Sequence, residues 1–184
     1  FLSVRYIERL RNMDLSKLKY FLILILALLL LPACTVSYSF TGSSLDYTKV
    51  KTISIANFPN RATLVYPALA PTFTEQLKET FSSKTSLNQV PKNGDLQISG
   101  EITGYSLSPS AINSSGSSTM TRLTVVVRVV FVNRSNSSEN FERSFSSYQE
   151  FSNTQTINQV QEELCETIIN ELIDQIFNAT VANW

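Results

Sequence analysis

The chain has 184 residues, with 15 basic and 15 acidic side chains, no histidine and two cysteines. Zero net charge argues against a nucleic-acid binder that relies on an overall positive field. The absence of histidine removes the commonest general base and metal ligand, and two cysteines build neither a disulfide-dense scaffold nor a four-thiolate zinc site. At 43% apolar and 16% charged residues the chain is too hydrophobic for a disordered one.

The apolar run Tyr20–Leu31 is 12 residues long. As a helix it spans roughly 18 Å, short of the ~30 Å hydrocarbon core of a bilayer. Lys17 and Lys19 precede it, and Leu31-Pro32-Ala33-Cys34 follows. A positive segment, a short apolar stretch and a small residue before a cut site read as a secretory signal. The last four residues resemble a bacterial lipobox: Leu31, Ala33 and Cys34 fit, and Pro32 departs from the usual small residue. The resemblance implies thioether lipidation of Cys34, cleavage before it and acylation of the new amino terminus. Two or more acyl chains anchor stably where one does not. Thr35–Phe40 carries neither an Asp after the Cys nor an acidic cluster, which favours the periplasmic leaflet of the outer membrane. Met13 reads as the start of the signal segment. The expected organisation is therefore an upstream extension over 1–12, a signal peptide over 13–33, a lipidated tether over 34–47 and a single domain over 48–184. Removing residues 1–33 takes away five basic and two acidic residues and leaves 10 basic against 13 acidic.

Within the tether, Val36–Phe40 could form a short strand. Val50–Phe58 alternates around Ile53 and Ile55, which predicts a half-buried strand stopped by Pro59-Asn60. Leu69, Phe73, Leu77 and Phe81 recur every fourth residue, an apolar stripe on a helix reaching about Ser83. Pro67 and Pro71 fall where a first turn tolerates proline. Asn93-Gly94 marks a turn, and Leu96, Ile98, Gly100 and Ile102 alternate with polar residues in a second strand. Ser108–Ser118 reads as a low-complexity loop. The third strand is the strongest: Leu123, Val125, Val127, Val129 and Phe131 form one face, and Thr124, Val126, Arg128, Val130 and Val132 the other. After a polar loop over 133–140, a fourth strand returns over about 141–151.

Thr156 and Gln159 fit a capping box ahead of a closing helix. Its stripe is Val160, Leu164, Ile168, Leu172 and Ile176, widened by Ile169, Ile173 and Phe177. Its outer face is acidic and reads as solvated. Strand-helix-strand predicts a right-handed crossover with parallel pairing, and the shorter loops predict antiparallel neighbours. The expected fold is a two-layer α+β domain, with a four-stranded mixed sheet and both helices on one face, in the order β-α-β-β-β-α. Three valines in line on the opposite face imply a covering segment or a docking partner.

Catalytic motifs are missing. Without histidine there is no imidazole to activate a serine or Cys165, which lies beside the apolar stripe and reads as a buried structural thiol. Glu162, Glu163 and Glu166 offer too few converging oxygens for a calcium cage. No metal site or cofactor is expected.

Several segments resemble the LptE family of lipopolysaccharide-assembly lipoproteins in its Bacteroidetes-type form. They are Tyr38–Gly42, Ile55–Asn60, Phe73–Leu77, Asn93–Leu96, Gly100–Tyr105, Phe141–Phe145 and the closing Asn183-Trp184. The resemblance spans the mature chain and rests on structural rather than catalytic motifs. It implies a non-enzymatic outer-membrane lipoprotein, with the β-barrel LptD and lipopolysaccharide as partners, and no nucleic acid. No local motif transfers the family's lipopolysaccharide contacts residue by residue. From chemistry alone the candidates are Arg122, Arg128 and Arg134, because guanidinium forks suit phosphate, together with the Ser108–Ser118 loop. The alternative is a lipoprotein module that holds a lipid or peptide in a pocket between sheet and helices, which requires an apolar cavity of several hundred Å³ there.

Overall fold

The computed structural model describes residues 47–64, 66–112 and 118–181. Cys34, the signal segment and the Val36–Phe40 strand expectation lie outside them. The elements in chain order are β1 (Thr52–Ile55), α1 (Leu69–Lys84), β2 (Asn88–Gln89), β3 (Leu96–Ile112), β4 (Ser118–Asn133), a short 3-10 turn (Ser137–Glu139), β5 (Phe141–Ser152) and α2 (Ile157–Thr180).

These strands make one open mixed sheet in the order β2-β1-β3-β4-β5. The crossover through α1 pairs β1 with β3 in parallel, Ile53 opposite Leu96 and Ile55 opposite Ile98. The β3-β4 and β4-β5 pairs are antiparallel. The sheet thus has five strands where the sequence pattern predicts four. The added strand, β2, is two polar, exposed residues that pair parallel to β1. It has no alternation or β-branched content to announce it. Its pairing comes from backbone bonds, Asn88 N–H to Lys51 O at 2.9 Å and Val90 N–H to Ile53 O at 2.9 Å.

The Ser108–Ser118 loop expectation also needs correction. Ser108 pairs with Arg122, Pro109 with Thr121, and Ile112 with Ser118, so both arms of that segment belong to one long hairpin. Proline has no N–H for the ladder and is confined to edges and irregularities. Pro109 accordingly sits at a register shift, beyond the end of β1. The low apolar content there reflects a hairpin end that buries little: Ser106–Pro109 are all exposed, Leu107 among them at 38%.

The core sits against the inner face of the hairpin. Leu123, Val125, Val127, Val129 and Phe131 are each at most 1% exposed, with Phe131 opposite Ile98, Val127 opposite Ile102 and Val125 opposite Tyr105 on β3. Each side chain of this class contributes about 1.5–3 kcal/mol on burial. From α1 the predicted stripe Leu69, Phe73, Leu77 and Phe81 enters this core, and Phe73 meets Phe58 edge-on at 5.1 Å. From α2 come Ile168, Ile169, Leu172, Ile173 and Ile176, while Val160 and Leu164 are only half-buried. A strict spacing of four drifts around a 3.6-residue helix, so at the first turns Cys165 takes the core position in place of Leu164. The two helices meet through Phe81 and Phe177, ring centroids 5.2 Å apart. The Thr156–Gln159 capping box forms as expected.

Two local constraints fix the sheet. Asn93 adopts a left-handed φ of 58°, and Gly94 follows so close to β1 that an added Cβ would lie 2.6 Å from Ser54 N. This turn delivers Asp95, whose Oδ2 accepts bonds from Lys51 N–H at 2.9 Å, Thr52 N–H at 3.0 Å and the Thr52 hydroxyl at 2.8 Å. The Lys51 amide first, then the Thr52 hydroxyl, hold its carboxyl below the usual range, against a smaller opposing effect of burial. At Gly100 a Cβ would lie 2.0 Å from Arg128 O and 2.6 Å from the Phe58 ring, so the backbone itself leaves no room for one.

Asp95→Ala is expected to cost about 1–2 kcal/mol, since it removes three bonds to a partly exposed charge. Because the folded carboxyl titrates below its unfolded value, its contribution is present above about pH 4 and is lost as pH falls through the folded value. Urea titrations at pH 7 and pH 3 check this: the gap between wild type and variant should be largest at pH 7. Gly100→Ala is expected to cost about 2–3 kcal/mol through overpacking, and an unchanged urea midpoint would contradict the close approach.

Candidate functional site

Side chains alternate across a strand, so the buried face of β4 leaves Arg122, Thr124, Val126, Arg128, Val130 and Val132 on the outer face. Arg122 and Arg128 share it, six residues or roughly 20 Å apart. Arg122 Nη2 and Nε donate to Glu150 Oε1 at 2.7 and 3.1 Å, and its guanidinium lies 4.1 Å from the Tyr148 ring centroid. Arg128 bridges the sheet, with Nη2 to Glu101 Oε1 at 2.7 Å and Nη1 to Glu142 Oε1 at 3.1 Å. Arg122 with Glu150 and Arg128 with Glu101 are direct cross-strand pairs.

The three valines are half-buried, which softens the expectation of a bare apolar row. Between and around them run the Arg–Glu pairs, with Tyr148 half-exposed at 50%. Two arginines against three glutamates leave this face mildly acidic. Arg134 is not part of it. It lies in the turn after β4, with its amide bonded to Asp95 O at 2.9 Å and Nη1 reaching Asn93 O at 3.4 Å. The structure therefore brings two of the three predicted arginines together and sets the third apart. The glutamate partners and Tyr148 are additions that the sequence pattern does not reveal, because Glu150 is 28 residues from Arg122 and only the hairpin register joins them.

The core side chains at the centre of the sheet–helix interface are almost fully buried, and a cavity of about 340 Å³ opens at its edge beside Phe131, Phe141, Ala179 and Thr180. An open groove of about 580 Å³ lies along β5, lined by Ser146–Glu150, Glu171 and Gln175. Its rim is hydrogen-bonded: Ser147 donates to Glu171 and Gln149 Nε2 donates to Glu171 Oε1 at 2.9 Å. A smaller cavity of about 210 Å³ lies between the first turns of the helices, beside Tyr66, Gln76 and Cys165.

Cys165 is 2% exposed, as expected of a structural thiol. Burial pushes it up to about 11 and its neighbour Tyr105 up to about 12, although Gln161 Nε2 donates to the Tyr105 oxygen at 2.5 Å. A thiol protonated at neutral pH, with no imidazole in the chain, is a poor nucleophile. Among the described residues no cluster of three or more Cys, Asp or Glu could hold a metal. No helix among them is long and apolar enough to cross a membrane. In a Cys34→Ser protein at pH 8, labelling of Cys165 by a thiol reagent should proceed only through opening of the fold, at least about a hundredfold slower than in urea-unfolded chain. Equal rates would place the thiol at the surface.

A family model described as LptE, lipopolysaccharide-assembly, matches residues 50–180. Among solved structures, the hypothetical protein CT253 from Chlamydia trachomatis shares the fold, with a TM-score of 0.52 at 10% identity, covering 73% of this chain and 99% of that one. A minor lipoprotein from Acinetobacter baumannii aligns with a TM-score of 0.47 at 18% identity, covering 69% and 89%. Rare lipoprotein B from Shewanella oneidensis aligns with a TM-score of 0.45 at 10% identity, covering 70% and 90%. No curated protein sequence matches. The family match takes in every described strand and helix, from the residue before β1's approach to the last residue of α2, and the chain belongs to the LptE family of lipopolysaccharide-assembly proteins.

Proposed function

We propose that this chain is a non-enzymatic lipoprotein of the outer membrane, anchored through acylated Cys34 on the periplasmic face, where it supports assembly of the LptD barrel and insertion of lipopolysaccharide. The family match over residues 50–180 carries the reading. Three features support it. The centre of the domain is packed. The lipobox resemblance at Leu31–Cys34 supplies a two-or-more-chain anchor. The outer sheet face offers guanidinium groups beside half-buried valines and an aromatic ring, a mixture suited to an amphipathic, anionic lipid.

On that face Arg122 and Arg128 act by exchange. Exposed Arg–Glu pairs are worth at most about 1 kcal/mol, while a phosphate accepts a bidentate guanidinium fork. A phosphorylated headgroup displaces Glu150 from Arg122, and Glu101 or Glu142 from Arg128, with Tyr148 and Val126, Val130 and Val132 covering the apolar part. Arg134, whose amide bonds to Asp95 O and whose Nη1 reaches Asn93 O, supplies a separate cation just beyond the end of β4.

The acylated protein, expressed with its barrel and extracted in mild detergent, is expected to co-elute with LptD in a fixed ratio. A monomer free of barrel under those conditions would overturn the reading. In a lipopolysaccharide-binding titration, Arg122→Ala with Arg128→Ala should weaken binding roughly tenfold, with thermal unfolding nearly unchanged.

A further inference from the structure

The two edges of the sheet are built differently. At one edge β2 is two residues long. At the other, β5 is 12 residues long and pairs with β4 from Phe141 to Ser152 without a register shift. Long edge strands are normally blunted by lysine, proline, a bulge or a covering segment. β5 contains no lysine and no proline, and its two glutamates, Glu142 and Glu150, are turned to arginines of β4. In an antiparallel ladder, alternate residues direct both backbone groups to the partner strand and the others direct theirs away. Asn153 N–H donates to Thr119 O at 3.2 Å, while Ser146 O faces away from β4 and accepts from Gln175 Nε2 at 3.4 Å. The odd positions of β5 therefore serve the ladder, and Ser144, Ser146, Tyr148 and Glu150 aim their amides at the open edge. Among the described residues none of these four N–H groups has a partner.

We infer that β5 is a docking edge for an extended strand of a partner protein, one that carries lysine or arginine at alternate positions. The open groove along Ser146–Glu150 runs beside these amides for about 17 Å, and a strand laid in it completes their hydrogen bonds. Charge selects the occupant. The helix wall of the groove carries Glu171, whose carboxylate accepts from Ser147 and Gln149 and meets no basic group among the described residues. α2 as a whole has five acidic and no basic residues, and among the described residues only Asp174 of the five meets a lysine, Lys84 of α1. Two copies joined edge to edge about a twofold axis would set these acidic helices side by side, which like charge opposes. A basic strand meets the opposite sign. Because side chains alternate across a strand, every second one of the incoming strand faces Glu171 and Gln175, and those between lie beside Tyr148, half-exposed at 50%. The inference rests on the sheet edge and is independent of the proposed lipid exchange on the outer face.

Residue-resolved amide exchange on the Cys34→Ser protein tests it, with an acetylated peptide of alternating lysine and valine as the probe. In the free protein the amides of Ser144, Ser146, Tyr148 and Glu150 should exchange fast and those of the odd positions slowly. At saturating peptide the four should slow about tenfold while the odd positions stay as they were. Ser146→Pro removes one edge-facing donor and leaves the β4 ladder intact, so it should weaken peptide binding about tenfold. Glu171→Gln, which keeps an acceptor for Ser147 and removes the charge, should weaken it about threefold with thermal unfolding nearly unchanged. Four amides that stay fast at saturating peptide would overturn the inference, as would equal binding of a glutamate–valine peptide. So would protection present before peptide is added: lost on dilution, it would assign the edge to a second copy, and independent of concentration, to another segment of the chain.

Discussion

Everything in this fold leans on the β3–β4 hairpin. Its register sets Ile98 opposite Phe131 and Ile102 opposite Val127, and so decides which side of β4 meets the helices. Because side chains alternate with a period of two, a slip of one residue would send Val125, Val127 and Val129 to solvent and Arg128 into the core. The burial of a desolvated, unpaired guanidinium would cost several kcal/mol on top of the lost apolar burial. The register is thus held from both faces, by hydrophobic residues inward and by charge outward. The irregularity between Ile102 and Gly104 lies within this hairpin; pairing resumes with Gly104 opposite Val126, and the next pair, Tyr105 opposite Val125, is again on the inner face.

The same register builds the outer face. Glu101, Arg128 and Glu142 come from three adjacent strands and meet only because those strands are aligned. Such exposed pairs add little stability, a weakness on which the proposed exchange with phosphate relies. The arrangement also keeps three valines from forming an unrelieved apolar row on an open sheet, which would invite non-specific association. Stability and surface chemistry are separated by the pleat of one strand: the inward residues hold the domain, and the outward ones can change partners without loosening it.

What the sequence reveals and conceals follows from the range of the interaction involved. The stripe Leu69, Phe73, Leu77 and Phe81, the Thr156–Gln159 cap and the alternation of β4 are local patterns, and each produces the element it predicts. The strand β2 is concealed because Asn88 and Gln89 have no apolar side to bury and owe their conformation to Lys51 and Ile53, more than thirty residues away. The second half of β3 is concealed for a related reason: Ser106, Ser108 and Pro109 pair through backbone beyond the reach of the helices, so no hydrophobic period is imposed on them. Arginines can be read as candidate anion ligands, but their partners Glu101, Glu142 and Glu150 cannot be assigned until the register is known. The separation of Arg134 from the other two is equally a matter of where β4 stops.

We propose that the outer face of β4, rather than the acidic face of α2, is where this protein meets its partners in lipopolysaccharide assembly. Site-specific photocrosslinking in cells tests it most directly, with the probe placed at Val130 on the sheet face and, for comparison, at Glu166 on α2, which is exposed on the opposite layer. The account predicts adducts with lipopolysaccharide or the barrel from position 130 and none from position 166. Adducts from position 166 alone would contradict it.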